Sequence, residues 1–180
     1  MKLGIFCRPK KEEINLDSPF EDKNLMMDLL ESSSTAIPYL KKARALFNVG
    51  QIDFLSLPAL ELSLTLSQIH PLGLNAPAAT LYYNEEKKII LMDQSLPIGI
   101  ACIFFAHELV HATEPIPQDL EEEIAIEFRA YQLQSKVTHE LIDNILNYDL
   151  FLKLHSSFNL LEAQWITHDE IRSRYLKAIA

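Results

Sequence analysis

The residues best suited to chemistry lie in one short run, Phe104-Phe105-Ala106-His107-Glu108-Leu109-Val110-His111-Ala112-Thr113. At its centre is His107-Glu108-x-x-His111. On an α-helix, side chains four residues apart lie one above the other on a single face. His107 and His111 can therefore hold one metal ion between two neutral imidazoles. Glu108, one step round the helix, can reach a water bound to that ion. Two imidazoles and a carboxylate base are what a zinc centre that activates water requires.

Such a run needs a rigid support. The preceding residues, Leu96-Pro97-Ile98-Gly99-Ile100-Ala101-Cys102-Ile103, are almost wholly apolar, and Pro97 suits the start of a helix. The stretch reads as a helix buried in a core, too short and too interrupted to span a membrane. Two His and a Glu at the end of a buried helix are costly unless they have partners, and a metal would supply them. The plainer alternative is a helix end whose polar residues reach solvent.

Glu114-Pro115-Ile116-Pro117-Gln118 cannot extend the helix, because proline lacks a donor and disfavours helix before it. Asp119 then caps a second helix, from Leu120 to about Val137, with Glu121, Glu122 and Glu123 in its first turns. A link this short predicts an antiparallel pair. The stretch facing His107 and His111 falls near Glu121 to Ala125, and reaches about Glu127 if the helices are offset. Glu123 and Glu127 are four apart and share a face, so either can supply a third ligand. Glu123 reads equally well as part of a solvated acidic first turn.

With Glu127-Phe128-Arg129-Ala130-Tyr131 on the second helix, the pattern resembles the gluzincin-type zinc metallopeptidases, in particular compact bacterial members. The resemblance runs from Leu81 to Gln134. It implies a zinc cofactor, with His107, His111 and Glu127 as ligands and Glu108 as the catalytic base. Glu127 and Ala130 match the Glu-x-x-Ala element of such families. Tyr131 departs from the Asp or Asn that several of them carry, so no single family is assigned. Three protein ligands leave a fourth position open for water. Glu108 would take a proton from the zinc-bound water and deliver it to the leaving amine of a peptide or protein substrate. The group stabilising the oxyanion would come from Tyr131, His139, Tyr148, His155, His168, Arg172, Arg174 or Tyr175. A lone His such as His139 or His155 is more often a surface or packing residue.

The rest of the chain supplies the scaffold. Its 180 residues suffice for one domain with a real core, read here as a single zincin-like domain over 1–180. A net charge of −9 and a pI near 5.1 provide no basic field for nucleic acid or an acidic membrane surface. Cys7 and Cys102 are too few for a disulfide framework and read as thiols. The first residues carry no Sec signal peptide, so the expected compartment is the cytoplasm, although a protein exported without a cleaved signal would look the same. Lys10 to Asp17 reads as a charged surface segment. Helical patterning begins near Pro19, with Phe20, Leu25, Met26, Leu29 and Leu30 on one side. Ser32-Ser33-Ser34-Thr35 breaks it and can cap a second helix, with Pro38 in its first turn and Gly50 at its end.

Ile52 to Leu57 reads as a strand, and Leu60 to Ile69 is open between helix and strand. Pro71, Gly73, Asn75 and Pro77 mark a loop. Thr80 to Tyr83 and Lys88 to Met92 form a hairpin around Asn84-Glu85-Glu86-Lys87, which runs almost directly into the buried helix. Such a sheet edge beside a metal cleft can take an extended peptide as an added strand. Leu141 to Leu154 reads as a further buried helix, with Phe158, Leu160, Leu161 and Trp165 as core anchors. Thr167-His168-Asp169-Glu170 has the form of a capping box opening a last helix, which makes His168 a helix-start residue. The expected fold is α+β and zincin-like, a small, mostly antiparallel sheet beside a helical body with a central active-site helix. Two other readings compete with a zinc metallopeptidase: a metal-binding regulatory or interaction module, and a helical interaction domain in which the motif is accidental. Retention of Glu108 speaks against the first, because a structural zinc site needs no base.

Overall fold

Helix α4 (Ile98–Thr113) is the axis of the molecule, and every residue in it except Phe104 and His111 is buried. The computed structural model describes residues 22–69, 76–84, 86–144 and 162–179. The charged segment at Lys10 to Asp17, the loop residues Pro71, Gly73 and Asn75, most of the expected helix from Leu141 to Leu154, and Phe158, Leu160 and Leu161 lie outside these residues.

Two short helices open the described chain. In α1 (Lys23–Leu30), Asp22 caps the first turn by accepting from the Asn24 backbone N–H at 3.0 Å. In α2 (Ile37–Asn48), Pro38 stands in the first turn and the N-cap is Ala36, with no side-chain cap; Ser33, in the turn before it, accepts from the Ala36 N–H at 3.1 Å. Gly50 follows α2 with φ +72°, a left-handed conformation that stops a helix cheaply only at glycine.

The sheet has three strands in the order β1-β3-β2: β1 (Ile52–Leu57), β2 (Ala78–Tyr82) and β3 (Lys88–Asp93). The hairpin expectation holds, with Tyr82 opposite Lys88. The expectation of a mostly antiparallel sheet does not, because β1 runs parallel to β3, Ile52 pairing with Lys88. Parallel neighbours need a crossover. Helix α3 (Ala59–Ile69) is part of it, which also settles the ambiguous leucine-rich stretch. Leu62 and Leu66, four apart, are buried, whereas Leu60 and Leu64 are exposed. Burial at a spacing of four is a helix property, and alternation in the sequence hid it.

The sheet is covered on both faces. Leu62 and Leu66 of α3 meet Leu57, Ala79, Leu81, Ile89 and Leu91 on one face. On the other, Ile52, Phe54, Ala78, Ile90 and Met92 join the main core built on α4. By the alternation of strand side chains, Thr80, Tyr82 and Lys88 share that second face. Helices α1 and α2 pack against α4 as well, and Phe54 meets Phe105 edge-on with ring centroids 5.8 Å apart.

Helix α5 (Leu120–Asn144) is the main partner of α4. It extends a further two turns beyond the expected end near Val137. Val137 and Leu141 are buried, and Glu140 accepts from the Thr35 hydroxyl at 2.6 Å, so tertiary contacts carry the helix past its weaker helix formers. Asp119 caps it, accepting from the Glu122 N–H at 2.9 Å. After a single 3₁₀ turn at Glu162–Gln164, helix α6 (His168–Ile179) opens with a reciprocal capping box. Glu170 accepts from the Thr167 N–H at 2.8 Å, and Thr167 accepts from the Glu170 N–H at 3.2 Å. Trp165, expected as a core anchor, is instead 73% exposed, while its neighbour Ile166 fills the contact with Ile124 and Ile171. The described residues therefore form an α+β fold, six helices around a mixed sheet. Among them no helix is long and apolar enough to cross a membrane.

Because α4 is enclosed, truncating its largest core side chain leaves a cavity that neighbours cannot fill. Phe105→Ala is expected to lower the unfolding free energy by about 3–5 kcal/mol, read by urea denaturation of both proteins. A loss under about 1 kcal/mol would mean that α4 is not the core element described.

Candidate metal centre

Glu114, Pro115 and Pro117 end α4 and turn the chain back, so later residues of α5 meet earlier residues of α4. Gln134 contacts His107, and Glu127, seven residues earlier, contacts His111. The six residues between the helices displace the facing stretch towards Glu127. Glu127 Oε2 lies 3.1 Å from His111 Nε2, Glu127 Oε1 lies 3.5 Å from His107 Nε2, and the two Nε2 atoms are 3.2 Å apart. One donor atom from each of His107, His111 and Glu127 falls within a 4.8 Å group. The structure thus gathers both histidines and Glu127. Glu123, the other carboxylate considered, sits one turn earlier and hydrogen-bonds the hydroxyl of Tyr175 on α6.

The donor set suits a divalent metal. Two imidazole nitrogens and one carboxylate are the ligands of catalytic zinc, and three protein ligands leave room for a fourth. The second nitrogen of His107 is engaged too, with Nδ1 2.9 Å from Gln134 Oε1. Charge in the group is shared. Burial would lower the pKa of His107, but Glu127, then Glu108 and Gln134, outweigh it and hold it above its ordinary 6.5. Burial would raise the pKa of Glu127, but His107 and His111 hold it well below its ordinary 4.5.

Glu108 is buried and lies outside the three-residue group. Its carboxylate Oε2 accepts from Thr80 Oγ1 at 2.8 Å, and the same hydroxyl lies 3.2 Å from its carbonyl oxygen. Lys88 reaches from β3 to the end of α4, where its ammonium donates to the carbonyl oxygens of His111, at 2.8 Å, and Glu114. It also lies 5.2 Å from the centre of the Tyr82 ring. A cation at a helix C-terminus satisfies carbonyls that have no partner within the helix.

Two phenols complete the surroundings. Burial and the carboxylates of Glu123, Glu108 and Glu127 push the Tyr82 hydroxyl up to about 12. Burial, then Glu127 and Glu123, also raise Tyr175. Phenols are protonated at neutral pH in any case, and these shifts move both further from ionisation. Among the earlier oxyanion candidates, Tyr131 meets the His107 ring edge-on with centroids 4.8 Å apart, and Tyr175 neighbours Glu123. His139 and Arg174 are exposed, Arg172 pairs with Glu121, and His168 begins α6 with its ring against Phe128. Tyr148 and His155 lie outside the described residues. Thr80, Tyr82, Lys88 and Gln134 were not found from the sequence. The first three occupy alternate positions on the hairpin face that borders α4, and Gln134 follows Glu127 by two helical turns.

Compared with models of known protein families, with curated proteins and with solved structures, the chain matches none. The side-chain arrangement alone must carry the functional reading.

The charge sharing sets a pH dependence for protein stripped of metal by a chelator. The raised His107 contributes stability that is full below 6.5 and lost as pH rises through its folded value. The lowered Glu127 contributes stability that is full above 4.5 and lost as pH falls through its folded value. Their joint contribution is expected to be full between these ordinary values, 4.5 and 6.5, and to decline on both sides. Melting temperatures against pH check this, with Glu127→Gln expected to flatten the alkaline decline. An unchanged profile in that variant would remove the pair as its cause.

Proposed function

We propose that the protein is a zinc-dependent metallopeptidase with a zincin-like, gluzincin-type site. The observation that carries this reading is the convergence of His107, His111 and Glu127 beside a separate buried carboxylate, Glu108. His107, His111 and Glu127 would hold the metal. When bound, zinc supplies the Lewis acidity that acidifies a water and polarises a peptide carbonyl.

The chain's own residues do the rest. Glu108 accepts the proton of the attacking water on its carboxylate and returns it to the leaving amine. Thr80 fixes the carboxylate by donating to Oε2. Tyr82 and Tyr175, whose hydroxyls feel the carboxylates of the site, are the hydrogen-bond donors we assign to the developing oxyanion. Among the described residues β2 is an outer strand of the sheet, and its Thr80 and Tyr82 face the site. An extended substrate peptide pairing along that edge would be held by main-chain hydrogen bonds, with little demand on its sequence. A purely structural metal site would have no use for Glu108, a polar side chain buried outside the ligand set at a free-energy cost.

The first test is metal content. The purified protein is expected to hold about one zinc per chain, as three-ligand catalytic sites do, and His111→Ala to lose it. No metal bound even in excess zinc would end the hydrolase reading. Glu108→Gln is expected to keep the metal and abolish cleavage of a peptide library read by mass spectrometry. Zinc bound without any cleavage by the parent would instead favour a metal-binding module.

A subtler variant addresses the base. Thr80→Val keeps the shape of the side chain and removes the donor to Glu108. It is expected to retain zinc and to lower kcat/KM about tenfold, in line with losing a hydrogen bond to a charged group, while Thr80→Ser restores it. Full activity in Thr80→Val would show that the contact does not position the base.

A further inference from the structure

The two imidazoles of the site are held unequally. His107 is 8% exposed, and its Nδ1 lies 2.9 Å from Oε1 of Gln134, itself 4% exposed. His111 is half-buried, and among the described residues no acceptor is found for its Nδ1. Gln134 lies seven residues beyond Glu127, two turns along the same helix, so one face of α5 supplies both the carboxylate facing Nε2 and the amide facing Nδ1. Tyr131, between them in sequence, meets the same ring edge-on.

We propose that Gln134 is a positioning residue for the metal centre, one that fixes the tautomer and ring orientation of His107 so that Nε2 is the ligand atom. The inference rests on the metal-centre reading above. An imidazole that binds metal through Nε2 must carry its proton on Nδ1, and that N–H needs an acceptor when buried. Oε1 of Gln134 is that acceptor. A carboxylate in its place would fix the tautomer equally well and add another negative charge beside His107, which already feels Glu108 and Glu127. The neutral amide orients the ring without doing so.

The test is zinc affinity, measured at pH 8 by competition with a chromophoric chelator, for the parent, Gln134→Met and Gln134→Glu. Methionine keeps the length of the side chain and removes the acceptor, whereas glutamate keeps the acceptor. Gln134→Met is expected to bind zinc about 10–100-fold more weakly, the usual consequence of removing such a partner. Gln134→Glu is expected to bind at least as tightly as the parent. Circular dichroism of the metal-free proteins checks that both variants fold. A Met variant matching the parent would overturn the proposal. So would a Glu variant losing as much as the Met variant, because the role would then be packing alone. A parent that binds no zinc removes the metal-centre reading itself, and this inference with it. If Gln134→Met does not fold, nitrogen NMR of the zinc-loaded parent decides, since His107 must show a protonated Nδ1 and a metal-bound Nε2. The opposite tautomer would overturn the proposal.

Discussion

A helix enclosed on every side can keep polar side chains only if each finds a partner inside the fold. Helix α4 carries that constraint at its second half, where His107 and Glu108 are buried among Ala106, Leu109 and Val110. Leaving such groups unpaired would cost several kcal/mol each on a scale where whole domains are stable by about 5–15. The surrounding elements answer the demand one by one. From α5 come Glu127 and Gln134, from β2 comes Thr80, and from β3 comes Lys88 for the carbonyls at the helix end. Among the described residues no buried side-chain polar atom lacks a partner. The sheet and both long helices are thus tied to one another through polar groups as well as through apolar packing.

This mutual dependence explains which parts of the fold the sequence made legible. Signals confined to a few neighbouring residues were readable. The His-Glu-x-x-His spacing, the proline stop after Thr113, the Asp119 cap, the hairpin and the Thr167–Glu170 box each arise from contacts within about one turn, and all appear in the structure. Only the family resemblance favours Glu127 over Glu123 in the sequence. Physics left both open because the choice depends on how far two helices slide past each other, a tertiary quantity. The structure sets that offset, bringing Glu127 to both histidines and Glu123 to Tyr175.

Other features were hidden for related reasons. Thr80, Tyr82 and Lys88 alternate along the hairpin, but alternation does not say which face of the sheet meets α4. The leucines of α3 satisfy a spacing of two and a spacing of four together, and only burial of Leu62 and Leu66 distinguishes them. The parallel pairing of β1 and β3 followed from that helical crossover, so one unresolved segment concealed the sheet's topology. The length of α5 was underestimated because Val137 and Thr138 are poor helix formers, whereas both are buried and contribute to packing.

The position of Glu108 bears most directly on what the site is for. His107, His111 and Glu127 on α4 and α5 already form a group that could hold a metal ion, and under the proposed function a module that merely stored a metal would gain nothing from a further buried carboxylate beside it. Glu108 adds negative charge to a region that also contains Glu123 and Glu127, as the shared effect of all three on Tyr82 shows. Without a metal the histidines offset part of this charge, as the raised His107 and lowered Glu127 show, and under the proposed function a divalent cation would offset it further. Thr80 holds the Glu108 carboxylate from the edge strand, while Glu127 approaches the histidines from α5. Glu108 and the His107/His111/Glu127 group are therefore supported by different elements. Under the proposed function, a peptide paired along β2 would contact the strand that holds Glu108, and substrate binding would then be linked to the proton transfer.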